Sequence, residues 1–242
     1  TIGDFDSNIF PIPDELKKAI VDAYNDNQTN YPAANGVEPL RKTVSEYLLK
    51  HLKLEYDANE VLISGGARPL IYAIYQTILD IDDTVLYPVP SWNNDAYTYL
   101  ARNNSVIVET LPENKFMPTA EALKPHVKNV NLIALCSPLN PTGTTFDKET
   151  LLEISQLVIE ENRRRKAQNI KPLYVLYDQI YWQLTYGETV HYNPVSLLPE
   201  MREYTIFVDG ISKAFAATGV RVGWAFGPLH IINKMKAILG HI

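Results

Sequence analysis

A lysine that follows an apolar run is the first residue in this chain that could carry out chemistry. The run Ile206 to Val208 leads into Asp209-Gly210-Ile211-Ser212-Lys213-Ala214-Phe215, and Arg221 follows Lys213 by eight residues. Burial among small and apolar neighbours and a nearby cation both lower the pKa of a lysine amine. Lys213 is therefore a candidate amine nucleophile, with an exposed loop lysine as the alternative.

Two other segments could hold a phosphorylated or planar ligand. Gly65-Gly66-Ala67-Arg68 begins a helix pattern, where small residues let a phosphate approach free backbone N–H groups and the positive helix end. The segment matches neither a P-loop nor the Gly-x-Gly-x-x-Gly pattern, so a plain tight turn is the alternative. Trp92 follows the run Val85 to Tyr87 and Pro88-Val89-Pro90-Ser91, where its ring could stack on a ligand or belong to the core.

Polar side chains follow two more apolar runs. Asn140 lies in Ser137-Pro138-Leu139-Asn140-Pro141-Thr142-Gly143, a rigid turn that either directs the amide toward a crevice or is purely structural. Asp178 ends the run Leu173 to Tyr177, and Tyr181 lies three residues later. Because a carboxylate at the end of a buried strand costs desolvation free energy, Asp178 implies a cationic or donor partner.

The elements that must position these residues alternate along the chain. Apolar periodicity predicts helices over Pro13–Tyr24, Pro39–Leu52, Ala67–Leu79, Asn93–Ala101, Lys148–Ala167 and Ile231–Leu239. It predicts strands over Val61–Ser64, Val85–Tyr87, Val106–Val108, Leu132–Cys136, Leu173–Tyr177, Ile206–Val208 and Gly223–Phe226. This alternation predicts an α/β fold with a doubly wound, mostly parallel sheet. Ligands bind such sheets outside the carboxyl ends of the strands, where the candidate residues lie.

Composition excludes several classes of function. Among 242 residues, 28 acidic and 22 basic side chains give a net charge of -6, which argues against nucleic acid or anionic membranes as partners. Cys136, the single cysteine, lies in an apolar run, which favours a buried, inert thiol and a reducing, cytoplasmic location. The five histidines lack ligand spacing, so no metal site is expected. The basic run 163–166 is interpreted as a solvated helix end.

Taken together, the segments resemble the fold-type I pyridoxal-phosphate enzymes, specifically the class I/II aminotransferases that include the aspartate aminotransferases. The matching segments are Tyr31-Pro32-Ala33-Ala34-Asn35-Gly36 with Leu40-Arg41, Gly65-Gly66, Pro90-Ser91-Trp92, Asn140-Pro141-Thr142-Gly143, Asp178-Gln179-Ile180-Tyr181, and Ser212-Lys213 through Gly219-Val220-Arg221-Val222-Gly223. Their order and spacing agree with the family along nearly the whole chain.

The resemblance implies a role for each matched residue. Lys213 would form a Schiff base with pyridoxal 5'-phosphate and act as general base, and Asp178 would pair with the pyridine nitrogen. Tyr181 and Asn140 would donate hydrogen bonds to the ring oxygen, and Trp92 would stack on the ring. The phosphate would be bound by Gly66, Ala67, Arg68, Ser212 and Arg221, and Tyr31 would reach the phosphate of a partner subunit. The substrate would contact Gly3, Trp92 and Asn140. These roles make a homodimer the expected assembly.

Two departures from the family pattern stand out. Gly210 occupies the position where many relatives carry a phosphate-binding serine, and Ser212 is a possible substitute. The chain ends at Ile242, before the C-terminal small domain that supplies an arginine for the substrate carboxylate. We therefore expect residues 1–242 to form the cofactor-binding large domain, with residues 1–25 leading in from a missing N-terminal arm.

The expected activity is transfer of an amino group from an L-amino acid to a 2-oxo acid. Arg68 could reach a distal carboxylate, which suits an aspartate-like substrate, or could simply cap its helix. A pyridoxal-phosphate-dependent carbon–sulfur lyase shares the same motifs, because the cofactor carries the chemistry. An aminotransferase-like ligand-sensing module is the alternative outside catalysis.

Overall fold

The apolar runs of the chain assemble into one seven-stranded sheet. The computed structural model describes residues 3–241, so the ends of the expected domain, at residues 1, 2 and 242, lie outside the described residues. The strands are β1 (Val61–Ser64), β2 (Thr84–Val89), β3 (Asn104–Glu109), β4 (Leu132–Cys136), β5 (Tyr174–Asp178), β6 (Thr205–Gly210) and β7 (Gly223–Phe226). Their order across the sheet is β1-β7-β6-β5-β4-β2-β3. Strands β2 to β6 pair in parallel, whereas β7 runs antiparallel to both β1 and β6.

Helices connect the strands and cover both faces of the sheet. They are α1 (Asp14–Asn25), α2 (Glu38–Leu52), α3 (Ala67–Ile78), α4 (Asn94–Ala101), α5 (Ala120–Leu123), α6 (Lys148–Ala167), α7 (Pro194–Leu197), α8 (Ile211–Ala214) and α9 (Leu229–Leu239). Short 3₁₀ turns lie at Ala58–Glu60, Pro112–Asn114, Val127–Asn129, Trp182–Leu184 and Pro199–Glu203.

A separate apolar core lies on each face of the sheet. Successive strand residues point to opposite faces, so Leu176 of β5 packs in the core that α3 and α9 cover, and Val175 packs in the core that α2 and α6 cover. The strands read as continuous apolar runs because both of their faces are buried. A polar side chain at a strand end therefore lies on a defined face of the sheet. Asp178 on β5 lies on the same face as Leu176.

The predicted α/β class and mostly parallel sheet are confirmed. The antiparallel direction of β7 was not predicted, because strand direction leaves no mark on a four-residue apolar run. Strand β6 extends past the predicted Ile206 to Val208 to include Asp209 and Gly210, and β2 extends to Val89. Most of these added residues are polar, Gly or Pro, and backbone pairing with neighbouring strands places them in the sheet.

The interpretation of residues 163–166 as a solvated helix end is wrong for Arg165. Its side chain is 2% exposed, and it donates hydrogen bonds to Glu161 Oε1 at 2.7 Å and to the carbonyl oxygens of Val127 and Val130 at 2.7 and 2.6 Å. A guanidinium tolerates burial here because its N–H groups meet acceptors from two elements. Arg165 thus ties the end of α6 to the segment before β4.

Within residues 3–241, no helix is long and apolar enough to cross a membrane. The same part of the chain places no three His, Cys, Asp or Glu side chains where they could hold a metal ion.

Candidate active site

A cavity of about 440 Å³ lies outside the carboxyl ends of the parallel strands. It collects ten of the residues singled out from the sequence, which are Gly3, Ala67, Arg68, Trp92, Asn140, Asp178, Tyr181, Ser212, Lys213 and Arg221. They come from the ends of β2, β4, β5 and β6, the start of α3 and the N-terminal segment. Gly66 lies directly behind the cavity wall, next to Arg221. Tyr31 does not line the cavity, and its side chain is fully exposed.

Lys213 lies on α8, the short helix that follows β6, and its side chain is half-buried. Its Nζ donates a hydrogen bond to the Gly3 carbonyl oxygen and lies 5.6 Å from the centre of the Tyr181 ring. Burial lowers the pKa of the Lys213 amine, and the guanidinium groups of Arg221 and Arg68 lower it further, against the opposing effect of Asp4. A lowered pKa increases the fraction of neutral, nucleophilic amine.

Asp178 ends β5 and directs a buried carboxylate into the cavity. Burial raises its pKa to about 6, while a hydrogen bond from the Ile180 N–H at 3.0 Å and the charge of Lys213 oppose that shift. Among the described residues this N–H is the only hydrogen-bond donor to the carboxylate. A buried carboxylate with one donor fits a cationic ligand group, such as a protonated ring nitrogen.

Two polar groups that line the cavity together with Asp178 form a pair. Asn140 Nδ2 lies 3.4 Å from Tyr181 Oη, at the long end of hydrogen-bond distance. Burial raises the pKa of Tyr181 to about 12, and the Asp178 carboxylate contributes in the same direction. The tyrosine is therefore a neutral O–H donor at physiological pH, and together with the Asn140 amide it can bind an oxygen atom on a ligand ring.

A compact anion cradle forms the opposite wall. Helix α3 begins at Ala67 without a side-chain cap, so its first N–H groups and positive dipole end face the cavity. Gly66 adopts a φ of +102°, and a Cβ on it would lie 2.2 Å from Arg221 Nη2. The guanidinium and the helix start thus lie side by side, which is the donor set that a phosphate group prefers.

Backbone crowding explains why glycine occupies position 210. A Cβ on Gly210 would lie 2.8 Å from the Val222 carbonyl oxygen and 2.9 Å from Gly223 Cα. A serine there would push β6 and β7 apart. Ser212, which is buried and lines the cavity, is the hydroxyl that remains on this side.

Sequence reasoning missed several residues of the cavity. Asp4 lies at its mouth and accepts a hydrogen bond from Thr218 Oγ1 at 2.6 Å, and Tyr97 and Cys136 also line the wall. None of the three directly follows a predicted strand, which was the signal used. Tyr97 lies on α4, five residues after Trp92, and that separation does not place two side chains on one helix face, so the sequence carried no local signal for it.

Comparison with known proteins gives a consistent result. The family model "Aminotransferase class I and II" matches residues 2–242. The chain is 30% identical to the aspartate aminotransferase of Bacillus sp. (strain YM-2) over 96% of its own length and 57% of that protein. It is 32% identical to the aspartate/prephenate aminotransferase of Thermus thermophilus over 95% of its own length and 56% of that protein.

Solved structures agree with the sequence relatives. The aspartate aminotransferase from Thermus thermophilus with maleate superposes with a TM-score of 0.89 at 30% identity, covering 99% of this chain and 59% of that one. The aromatic aminotransferase from Pyrococcus horikoshii gives a TM-score of 0.90 at 31% identity, covering 99% of this chain and 61% of that one. The chain thus spans 56 to 61% of the length of these relatives. A family model that covers nearly every residue, a shared fold, and a lysine, an aspartate and an anion cradle around one cavity together show that the chain belongs to the class I and II aminotransferases.

Proposed function

We propose that this protein is a pyridoxal-phosphate-dependent aminotransferase, which moves an amino group from an L-amino acid to a 2-oxo acid. The observation that carries the proposal is one cavity in which the Lys213 amine, the Asp178 carboxylate and the anion cradle face the same space. Each group suits a different part of one phosphorylated, cationic aromatic aldehyde. Residues 1–242 would then form the cofactor-binding large domain.

Different residues of the cavity would bind different parts of this cofactor. Arg221 and the N–H groups at the start of α3 would bind the phosphate, with Ser212 beside them. Asp178 would hold a proton on the ring nitrogen, and Tyr181 with Asn140 would orient the ring oxygen. Pyridoxal phosphate, when bound, supplies an aldehyde for amines and a ring that withdraws electrons from the substrate Cα.

Lys213 has the two properties that the remaining chemistry requires. Its amine has a lowered pKa, which increases the neutral fraction that can condense with the cofactor aldehyde, with release of water. Once a substrate amine has displaced it, the released Nζ can take a proton from the substrate Cα and return it elsewhere. Trp92, on the cavity wall, would cover the ring and exclude water.

An aspartate-like amino acid is the substrate class that we propose. Arg68 lines the cavity, and its guanidinium has no hydrogen-bond partner among residues 3–241, so it is available to a distal carboxylate. The relatives named aspartate or aspartate/prephenate aminotransferases agree with this choice. We further propose a homodimer, with no nucleic acid or membrane as partner, in the reducing cytoplasm that suits Cys136, whose pKa burial raises.

The test uses full-length protein, pyridoxal phosphate and borohydride, which traps a lysine–aldehyde bond. Wild type and the control Lys234→Ala, which removes an exposed lysine of α9, are expected to retain trapped cofactor on the peptide that contains Lys213, whereas Lys213→Ala is not. L-aspartate with 2-oxoglutarate should give glutamate. Arg68→Met should lower the rate of amino-group transfer from L-aspartate more than the rate from L-alanine.

Two results would contradict the proposal. Trapped cofactor in Lys213→Ala would contradict the proposal that Lys213 is the residue that bonds to the cofactor. Pyruvate and ammonia released without a 2-oxo acid acceptor would identify a carbon–sulfur lyase, and bound cofactor without turnover of any amino acid would favour a ligand sensor.

A further inference from the structure

A second buried carboxylate lies one strand away from Asp178, and the proposed chemistry does not use it. Asp209 is 2% exposed near the end of β6. By strand alternation it shares a face with Phe207, toward α2 and α6, whereas Asp178 faces the cavity on the other side of the sheet. Asp209 therefore cannot touch a ligand in the cavity directly.

The contacts of Asp209 join two segments that do reach the cavity. Its Oδ2 accepts hydrogen bonds from Trp182 Nε1 at 2.9 Å and from Gln179 Nε2 at 3.4 Å. Its Oδ1 accepts the Gly210 N–H at 2.7 Å. Trp182 directly follows Tyr181, and Gly210 precedes Lys213 by three residues. One carboxylate thus links the turn that carries Tyr181 to the turn that carries Lys213.

Stability alone does not account for a carboxylate at this position. Burial raises the pKa of Asp209 to about 7, against the hydrogen bonds from Gly210, Trp182 and Gln179. Ionised Asp209 therefore gives a lower free energy of unfolding than a carboxylate whose pKa were unchanged by folding. The groups that face it are Tyr47 of α2, Trp182, Gln179 with its partner His191, and Trp224 of β7.

We propose that Asp209 is a positioning residue, which fixes Tyr181 relative to the Lys213 amine by accepting the Trp182 indole N–H on the far face of the sheet. The catalytic consequence rests on the proposed function. Without this hydrogen bond the turn after β5 and the turn after β6 can move independently. A displacement of about 1 Å between groups that must meet one atom can cost about 100-fold in rate.

The experiment compares Asp209→Ala, Trp182→Phe, the double variant and Asp209→Asn in the full-length holoenzyme. Both single variants should lower kcat about ten- to a hundredfold with KM changed by less than about threefold, because substrate binding keeps its own contacts. The double variant should be no slower than the slower single variant, because both substitutions remove the same hydrogen bond between Trp182 and Asp209. Asp209→Asn keeps an oxygen for the indole and should retain most of the rate.

A second readout needs neither cofactor nor turnover. In the cofactor-free protein, the pH dependence of Lys213 acetylation by acetic anhydride reports the pKa of its amine, with exposed Lys234 as the internal reference. Asp209→Ala and Trp182→Phe should move the Lys213 profile to higher pH, because a loosened turn exposes the amine.

The matched control is Asn162→Ala, which removes another buried side chain that bridges two elements. Asn162 exchanges two hydrogen bonds of 2.8 Å with the Leu173 backbone, just before β5 begins and far from the cavity. This variant should melt at a lower temperature while kcat and the Lys213 profile stay at wild-type values.

Several outcomes would overturn the positioning role. The first is a wild-type kcat and a wild-type acetylation profile in Asp209→Ala or Trp182→Phe. The second is a double variant in which the two decreases in kcat multiply. The third is a decrease in kcat in Asn162→Ala or in Asp209→Asn that equals the decrease in Asp209→Ala. If Asp209→Ala does not fold, Trp182→Phe decides on its own. If the wild type has no aminotransferase activity, the proposed function fails, and the acetylation profiles still decide the role of Asp209.

Discussion

At the scale of single residues, the charge state of Asp178 depends on what shares the cavity with it. Its carboxyl group has a pKa of about 6 in the fold, compared with an ordinary value of 3.8. Between these two values the folded protein holds a proton that the unfolded chain has lost. The free energy of unfolding therefore falls as the pH rises through this window, by about 3 kcal/mol in total.

We expect this contribution to be absent from Asp178→Asn when the cofactor-free protein is unfolded in urea at pH 4, 5, 6 and 7. Subtracting the two pH profiles removes most of the contribution of the groups that both proteins share. These include Asp209, whose pKa burial raises to about 7 and which acts in the same direction, and His191, whose pKa burial lowers to about 4 and which acts in the opposite direction. If the free energy of unfolding has the same pH dependence in both proteins, folding does not raise the pKa of Asp178. Bound cofactor should also flatten the wild-type profile, since a cation beside Asp178 lowers its pKa.

Two adjacent glycines offer a sharper test of the anion cradle. Gly66 has a φ of +102°, and an added Cβ would meet the Arg221 guanidinium, whereas a Cβ on Gly65 would meet nothing within 4 Å. Gly66→Ala should weaken binding of pyridoxal phosphate about tenfold or more, because it displaces the arginine and strains the start of α3. Gly65→Ala should bind normally. Equal affinities in equilibrium dialysis would place the phosphate elsewhere.

Much of the candidate site could be predicted at this scale, because strand ends mark one edge of the sheet. The residues found in this way, such as Asp178 and Asn140, directly follow apolar runs. Asp4 and Thr218 could not be found, because their hydrogen bond joins positions 214 residues apart. No local pattern encodes such a contact.

At the scale of elements, Arg165 makes the end of α6 part of the core. We expect Arg165→Met to lower the free energy of unfolding by about 3 to 5 kcal/mol, because it removes one of the two arginine partners of Glu161 and leaves the buried carbonyl groups of Val127 and Val130 without a donor. Lys166→Met, at the exposed neighbouring position, should change stability by less than about 0.5 kcal/mol. Urea unfolding of both variants measures the difference. Similar stability in the two variants would contradict the assignment.

The burial of Arg165 could have been read from helical spacing. Ile154, Val158, Glu161 and Arg165 follow one another at intervals of four, three and four residues, so they share one face of α6. The run of four basic residues directed attention to charge instead. Periodicity applies to polar residues as much as to apolar ones.

At the scale of the whole molecule, Tyr31 is the residue that the single chain does not explain. It is fully exposed and outside the cavity, although the resemblance assigns it to a cofactor phosphate. A second chain can bring it to a phosphate, since two-fold pairing places each chain's surface at the other's site. The proposed homodimer would therefore give Tyr31 a function that a single chain does not.

We expect Tyr31→Ala and Lys213→Ala to be nearly inactive alone and to recover part of the activity when full-length subunits are mixed and exchanged. Some mixed dimers then hold one site with both residues intact. Light scattering gives the mass, and a mass-tagged subunit proves that exchange has occurred. A monomeric enzyme, or exchange without recovery, would contradict the shared site.

The fold was predictable at this scale except for the direction of β7. Alternating apolar runs and helical stripes specify layers, and they do not specify whether a short strand such as Gly223–Phe226 returns parallel or antiparallel. That choice depends on backbone contacts between glycines of different strands. Gly210 and Gly223 face each other in register, and a side chain on either would clash.

The antiparallel return of β7 also bears on the order in which the site assembles during folding. Because β6 and β7 are hydrogen-bonded neighbours, residues 211–222 form one continuous connection that carries both Lys213 and Arg221. Contacts within a hairpin involve short chain separations and little loop-closure entropy, so they form early compared with the long crossovers between parallel strands. The amine and the guanidinium are thus carried to one end of the β6–β7 pair by contacts of short chain separation, whereas Asp178 and the start of α3 reach the same cavity through long connections.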